Sequence, residues 1–160
     1  MISDSLVSIP AAEARALWPH LRHAIPGRWL PGRPGASRLD ALPHLGRAVA
    51  VPLSSDALFR VVLAARRNGW PLIFGLDRGE QRQEVTLIPR WIESCADTLH
   101  LFDRGAEIHL FPECGGALWR VRWPREWALE WFDPTGERLL TVHGPPAEAG
   151  LWDLFLSTLS

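Results

Sequence analysis

The order of the hydrophobic patterns along this chain restricts its fold more than any other feature. The first part carries patterns typical of helices, and from about residue 70 the pattern changes to short apolar or alternating runs separated by turn residues. The sequences DRGAE and DPTGE have the composition of hairpin turns, in which glycine supplies a positive φ. Helices, a succession of antiparallel strands and a closing helix predict an α+β fold with N-terminal helices, a large antiparallel β-sheet and a C-terminal helix.

The N-terminal helix is predicted over residues 9–25, and Pro19 predicts a kink or a break in it near Trp18. A second helix is predicted from Ser54 or Ser55 as its cap, followed by an apolar stripe at helical spacing. In the strand region, a hairpin that turns at Asp103, Arg104 and Gly105 makes two histidines cross-strand neighbours. These are His100 and His109.

Length and composition predict one ordinary globular domain over residues 1–160, in which residues 1–36 form a helix and a Pro/Gly-rich loop. No apolar run is long enough to span a bilayer and no signal-type leader is present, so we expect a cytoplasmic protein without membrane insertion. The net charge of −1 argues against nucleic-acid binding. The two cysteines, Cys95 and Cys114, have no metal-ligand spacing.

Few motifs in the sequence point to chemistry. All 17 basic residues are arginines, whose guanidinium groups bind carboxylates and phosphates in a bidentate manner. His20 and His23 are three residues apart and can share a helix face, but no third metal ligand follows nearby. No phosphate-binding loop, dinucleotide-binding motif or nucleophile motif is present, so a standard hydrolase or transferase is not indicated.

Several segments, taken in order, resemble the HemS/ChuX haemin-degrading family of haem-utilisation proteins, specifically the C-terminal half of its longer HemS-type members. The segments are SRLDAL, VPLSSDALFRVVLAARRNGWPLIFGLDRG, LHLFDRGAEIHLF, ALWRVRWP, ALEWFDPTGERLLTVHG and GLWDLFLSTL. No single segment is specific, but their order and spacing extend over about three quarters of the chain. The resemblance implies a large antiparallel sheet flanked by helices, and a half-length chain of this type is expected to form a homodimer.

The resemblance implies b-type haem as the cofactor, bound in the cytoplasm for trafficking or breakdown in haem iron utilisation. In the HemS-type C-terminal half, the axial histidine lies seven residues after a tryptophan and thirteen before an arginine. Trp18 and Arg38 match these two positions, and both spacings lead to Ile25. Because isoleucine cannot ligate iron, His23, or His20 one turn earlier, is the predicted substitute metal ligand.

Haem also needs a flat apolar slot and cationic partners for its propionates. By the same resemblance, the predicted haem-binding residues are Arg38, Arg78, Arg122, Phe111, Trp123 and Trp29. Whether the chain is an enzyme stays open, and the sequence favours a haem carrier over a haem-degrading enzyme. The alternative is a dimeric module that retains the fold, has lost haem binding, and binds another planar ligand or a protein partner.

Overall fold

The structure, a computed structural model, describes residues 9–21, 30, 35–78, 81–95, 98–111, 116–124 and 126–159. These residues form four α-helices: α1 (Ala11–Leu21), α2 (Arg38–Ala41), α3 (Ala57–Asn68) and α4 (Ala149–Ser157). They also form nine strands: β1 (Ala50–Leu53), β2 (Leu72–Arg78), β3 (Gln81–Leu87), β4 (Trp91–Cys95), β5 (Thr98–Asp103), β6 (Ala106–Leu110), β7 (Ala117–Arg122), β8 (Trp127–Phe132) and β9 (Arg138–His143). The predicted α+β class, with helices before and after an antiparallel sheet, is confirmed.

The strands form a six-stranded sheet in the order β1-β7-β8-β9-β2-β3 and a three-stranded sheet in the order β4-β5-β6. Every pairing is antiparallel. The turn between β5 and β6 has Gly105 at φ +87°, and the pairing places His100 opposite His109, as the hairpin turn predicted. The structure adds β4, which the sequence analysis did not identify as a strand.

Two apolar clusters lie on opposite faces of the six-stranded sheet. On one face, α1, α2 and the following turn pack on Trp119, Val121 and Phe132 of β7 and β8. We call this the α1 face. On the other face, α3, α4 and the three-stranded sheet enclose the larger cluster, which includes Phe74 and Trp152. We call this the α4 face. Because strand residues alternate in direction, neighbours such as Arg122 and Trp123 are separated by the sheet.

Local sequence explains the ends of the helices. Helix α3 buries the predicted stripe and ends at Gly69, whose φ of +65° is the left-handed conformation that glycine adopts readily. Its N-cap is Asp56, so the predicted cap at Ser54 or Ser55 is wrong. The Ser54 hydroxyl instead hydrogen-bonds the Asp56 carboxylate.

Of the kink or break predicted near Trp18, the break is wrong, because α1 continues through Pro19 to Leu21. Proline lacks one helical N–H, and here that loss falls within the last turn of the helix, where little of the helix depends on it. None of the described helices is long and apolar enough to cross a membrane.

Candidate functional site

The α1 face carries a buried ion pair at its centre. Arg38 begins α2, where the Ser37–Asp40 capping box fixes the start of the helix. Its Nε and Nη2 donate hydrogen bonds of 2.6 Å each to the two carboxylate oxygens of Glu130 on β8. The ring of Trp18 lies 4.6 Å from the guanidinium carbon on the other side. The guanidinium of Arg38 therefore joins the start of α2 to the strand β8 and to α1.

Glu130 is fully buried, and burial alone raises the pKa of a carboxyl group. In this protein the opposing effect of Arg38 and Arg138, together with the hydrogen bonds from Arg38 and Trp123, holds the pKa of Glu130 below its usual value. Glu130 is therefore an anion in the folded protein, and the surrounding side chains compensate its charge.

The ion pair extends across three further strands as a row of alternating charges. Arg138 on β9 lies between Glu130 (Nη1–Oε1, 3.5 Å) and Asp77 of β2 (Nε–Oδ2, 2.8 Å). Asp77 in turn accepts a hydrogen bond of 2.9 Å from Arg82 on β3. Arg82 ends the row, since it is partly exposed and also lies 3.3 Å from the exposed Glu84 carboxylate.

A glycine on β2 makes room for the outer end of this row. Arg82 donates a 2.6 Å hydrogen bond to the hydroxyl of Thr141 across Gly75. A Cβ atom at Gly75 would lie 2.0 Å from Arg82 Nη2 and 2.4 Å from the Thr141 hydroxyl oxygen. The absence of a side chain at this position therefore leaves the space that the guanidinium of Arg82 occupies.

At the end of β7 and β9, an indole and an imidazole adjoin the row of charges. The indole nitrogen of Trp123 donates a 3.1 Å hydrogen bond to Glu130 Oε1. The same indole meets the ring of His143 edge to face, with 4.7 Å between the ring centroids. The Nδ1 of His143 lies 3.0 Å from Glu126 Oε1 in the turn between β7 and β8. The α1 face therefore brings together an aromatic wall, an oriented imidazole and guanidinium groups.

The structure brings together only some of the residues predicted to bind haem. Arg38 and Trp123 both contact Glu130. Arg122 lies on the α4 face, where it is 3.0 Å from Asp153 of α4 and near the ring of Trp127. It therefore lies across the sheet from Arg38.

The other predicted residues lie elsewhere or outside the described part of the chain. Arg78 is exposed at the end of β2, and Phe111 follows β6 with 53% of its surface exposed. His20 is exposed on α1, two residues after the buried Trp18 and thus about 200° around the helix from it. His23, Ile25 and Trp29 lie outside the described residues.

Glu130, Arg138 and His143 were not identified from the sequence. A signal for Glu130 was present, because its strand reads ALEWF, with apolar residues on both sides of one carboxylate. A charge in a fully apolar strand requires a buried partner. For His143 the sequence gives no comparable signal, since its contacts with Glu126 and Trp123 arise only when three strands come together.

On the α4 face, Arg120 is buried, and its Nη1 donates hydrogen bonds to the carbonyl oxygens of Leu156 (2.6 Å) and Leu159 (3.4 Å) at the end of α4. Its guanidinium carbon lies 4.7 Å from the ring centre of Trp127. Burial lowers the pKa of Arg120, and its Nε is a buried atom without a hydrogen-bond partner among the described residues. This arginine fastens a helix to the sheet and does not face the candidate site.

Among the described residues, no cluster of three or more histidine, cysteine, aspartate or glutamate side chains has the arrangement of a metal site. The candidate site is instead one that offers a single imidazole beside an aromatic wall, with cationic groups on the same face.

The sequence matches no family model and no curated protein, whereas solved structures match over almost the whole chain. The structure of holo-PhuS, a haem-binding protein from Pseudomonas aeruginosa, matches with a TM-score of 0.80 and 26% identity, covering 99% of this chain and 48% of PhuS. ChuS, a haem-degrading enzyme from Escherichia coli O157:H7, matches with a TM-score of 0.75 and 17% identity, covering 94% of this chain and 48% of ChuS.

A third match is ChuX, with a TM-score of 0.53 and 12% identity over 67% of this chain and 68% of ChuX. The chain spans about half the length of PhuS and ChuS. The resemblance seen in the sequence is thereby confirmed, and the chain has the fold of the HemS/ChuX family.

Proposed function

We propose that this protein binds b-type haem on the α1 face and acts as a cytoplasmic haem carrier in haem iron utilisation. The observation that carries the proposal is the match to the haem-binding protein PhuS over 99% of this chain. Haem itself supplies an iron centre with axial positions for ligands and two propionates. The residues of the α1 face suit such a group, because they offer a half-buried indole, an imidazole and guanidinium groups on one surface.

In this proposal the side chains have separate roles. Trp123 forms part of the apolar wall against the ring, and its bond to Glu130 fixes its orientation. Arg38 contributes positive charge behind that wall and positions Glu130, while Arg82 at the exposed end of the row is a direct partner for a propionate. Arg78, Arg122, Phe111 and Trp29 remain predictions from the resemblance, as do His23 and His20 as iron ligands.

The experiment that tests the proposal is a titration of the purified protein with haemin, followed at the Soret band. We expect one haem to bind per chain, with saturation, and the band to persist when ascorbate is added. Loss of the Soret band after addition of ascorbate would indicate a haem-degrading enzyme and would contradict the carrier role. Arg82→Ala is expected to lower haemin affinity about tenfold, which is the typical effect of losing one charge-assisted contact of about 1.4 kcal/mol.

A matched control is Arg90→Ala, which removes an arginine from an exposed pair with Asp103 before the three-stranded sheet. This variant is expected to bind haemin like the wild-type protein. Equal losses in both variants would indicate a nonspecific charge effect and would contradict the role of Arg82.

A homodimer is part of the same proposal. It is supported by the exposed Phe59 and Leu63, which lie one turn apart on α3. Light scattering is expected to give twice the chain mass of 17.9 kDa.

One observation favours the second candidate, a dimeric module without haem. The residue at the position of the family's axial ligand is Ile25. A dimer that shows no Soret shift at micromolar haemin would establish this alternative and exclude the carrier.

A further inference from the structure

We infer that His143 is the axial ligand of the haem iron, through its Nε2 atom. This inference rests on the haem-binding function proposed above. A residue of the sheet would then take the role of the family's axial histidine, whose position is occupied by Ile25 in this chain.

His143 is the last residue of β9 and is buried, with about 10% of its side chain exposed. Its direction is fixed by the sheet, because Leu140 and Val142 of the same strand belong to the apolar cluster of the α4 face. Thr141 and His143 therefore face the other way, and the contacts of His143 with Trp123 and of Thr141 with Arg82 confirm this direction. The imidazole thus lies on the α1 face, which also carries Arg38 and Trp123, two residues that the resemblance predicts to bind haem.

The hydrogen bonding of His143 leaves one nitrogen for a ligand. A carboxylate oxygen accepts hydrogen bonds, so the contact of Nδ1 with Glu126 Oε1 at 3.0 Å is satisfied by an imidazole that carries a proton on Nδ1. In the neutral form of this tautomer Nε2 carries the lone pair, and Nε2 forms no hydrogen bond or ion pair with any described residue. Histidines that ligate metals commonly have this arrangement, with one nitrogen on the metal and the other donating to a carboxylate.

The ring is also held in one orientation. The edge-to-face contact with Trp123 restrains it from one side, and Trp123 is itself bonded to the buried Glu130. Register places Ile73 of β2 opposite His143, which adds an apolar neighbour on the same face. A histidine imidazole is a common protein ligand of haem iron, and burial is one of the means by which a protein controls the bound iron.

A cationic group lies at a suitable place along the strand. Thr141 precedes His143 by two residues, a rise of about 7 Å in an antiparallel strand. Arg82 is bonded to Thr141 and is partly exposed. An anionic edge of a flat ligand centred over His143 can therefore reach a guanidinium on the same surface.

The other described histidines lack this combination. The Nδ1 atoms of His100 and His109 face one another across the β5–β6 hairpin, so each of these two nitrogens has the other histidine as its partner. His20 is exposed on the surface of α1, and His44 is only half-buried after α2. Within the described part of the chain, His143 alone joins burial, a carboxylate on one nitrogen and an aromatic wall.

The test compares haemin complexes of the wild-type protein, His143→Gln and His109→Gln by optical and electron paramagnetic resonance spectroscopy. Glutamine at 143 retains a donor for Glu126, so the fold is expected to persist, and circular dichroism checks it. His143→Gln is expected to shift the Soret band, to change the ferric signal and to weaken haemin binding at least tenfold. Added imidazole should restore the wild-type spectrum of His143→Gln, and His109→Gln should match the wild type throughout.

The outcomes separate this inference from the proposed function. If the wild-type protein binds haemin and His143→Gln keeps its spectrum and affinity, the ligand is another residue and the inference is wrong, while haem binding stands. His23→Ala and His20→Ala in the same series identify the substitute. If the wild-type protein binds no haemin, both the proposed function and the inference fail.

The variant Glu126→Gln tests whether Glu126 acts on the iron through His143. The iron–histidine stretching frequency would not change if the hydrogen bond were purely structural. A carboxylate on Nδ1 makes the imidazole a stronger donor to iron. This variant is therefore expected to lower the iron–histidine stretching frequency of the ferrous complex in resonance Raman spectra, with haem still bound. An unchanged frequency would exclude Glu126 as the positioning residue of His143.

Discussion

The two faces of the six-stranded sheet hold their charged residues in different ways. On the α1 face, Arg38 and Glu130 pair with each other through side chains that come from distant parts of the chain. On the α4 face, Arg120 donates to backbone carbonyls of a helix and lies against an indole ring. The first arrangement is a row of side chains that ends at a partly exposed guanidinium, whereas the second closes on the helix it supports.

The second arrangement holds a helix to the sheet, whereas the first lies on the face where we propose that haem binds. A row of charges across several strands costs desolvation free energy, and hydrophobic residues of similar size commonly give equal or greater stability. The row lies next to Trp123 and His143, and we therefore propose that it serves the haem site and not the stability of the fold alone. On the α4 face, the charge of Arg120 is explained by its hydrogen bonds to the end of α4.

The largest expected effect comes from removing the shared anion of the α1 face. Glu130→Gln removes the buried carboxylate charge that pairs with Arg38 and adjoins Arg138, and Arg138 keeps its contact with Asp77. We expect the free energy of unfolding to fall by about 3–5 kcal/mol, the usual cost of breaking a buried ion pair from one side. Urea unfolding measures this loss, and a fall below about 1 kcal/mol would contradict the central role of Glu130.

The pH dependence of stability sharpens the same comparison. The pKa of Glu130 is lowered in the folded protein, so its contribution to stability is complete above its unfolded pKa of 4.5. That contribution is lost as the pH falls through the lower pKa of the folded state. Urea unfolding at a series of pH values below 4.5 should show wild-type stability falling more steeply than that of Glu130→Gln, and parallel curves would refute the assignment.

The smallest effect is expected at the rim of the α4 face. Arg122 and Asp153 form a pair whose arginine side chain is 41% exposed, and Asp153 Oδ1 also accepts a 2.9 Å hydrogen bond from the backbone of Trp127. Arg122→Ala should therefore change the free energy of unfolding by only about 0–1 kcal/mol. A loss comparable to that of Glu130→Gln would remove the contrast between the two faces.

Much of the fold could be predicted from local sequence. Turn residues such as Gly105 mark the hairpins, and the register of β5 with β6 follows from the turn, which is why the neighbours His100 and His109 were predicted correctly. The strand β4 was missed because nearly all of its residues are exposed, so buried and exposed positions hardly alternate along it. The separation into two sheets depends on tertiary packing, which no short window of sequence contains.

The candidate site was harder to predict than the fold. Arg38 was identified through the resemblance, but its partner Glu130 lies 92 residues later in the chain. Two predicted residues, Arg122 and Trp123, are adjacent in sequence, and strand alternation places them on opposite faces. Contacts between distant residues decide which side chains share a site, and a single sequence does not encode them in any local pattern.

The bonds from Arg120 to the end of α4 have a consequence for how the molecule opens. The last turn of a helix commonly frays, and its amide hydrogens then exchange early with solvent. Here, opening of the last turn would leave a buried guanidinium without either carbonyl acceptor, since Leu156 and Leu159 supply both. That cost couples α4 to the central strand β7, so the two should lose their exchange protection together, in one cooperative opening.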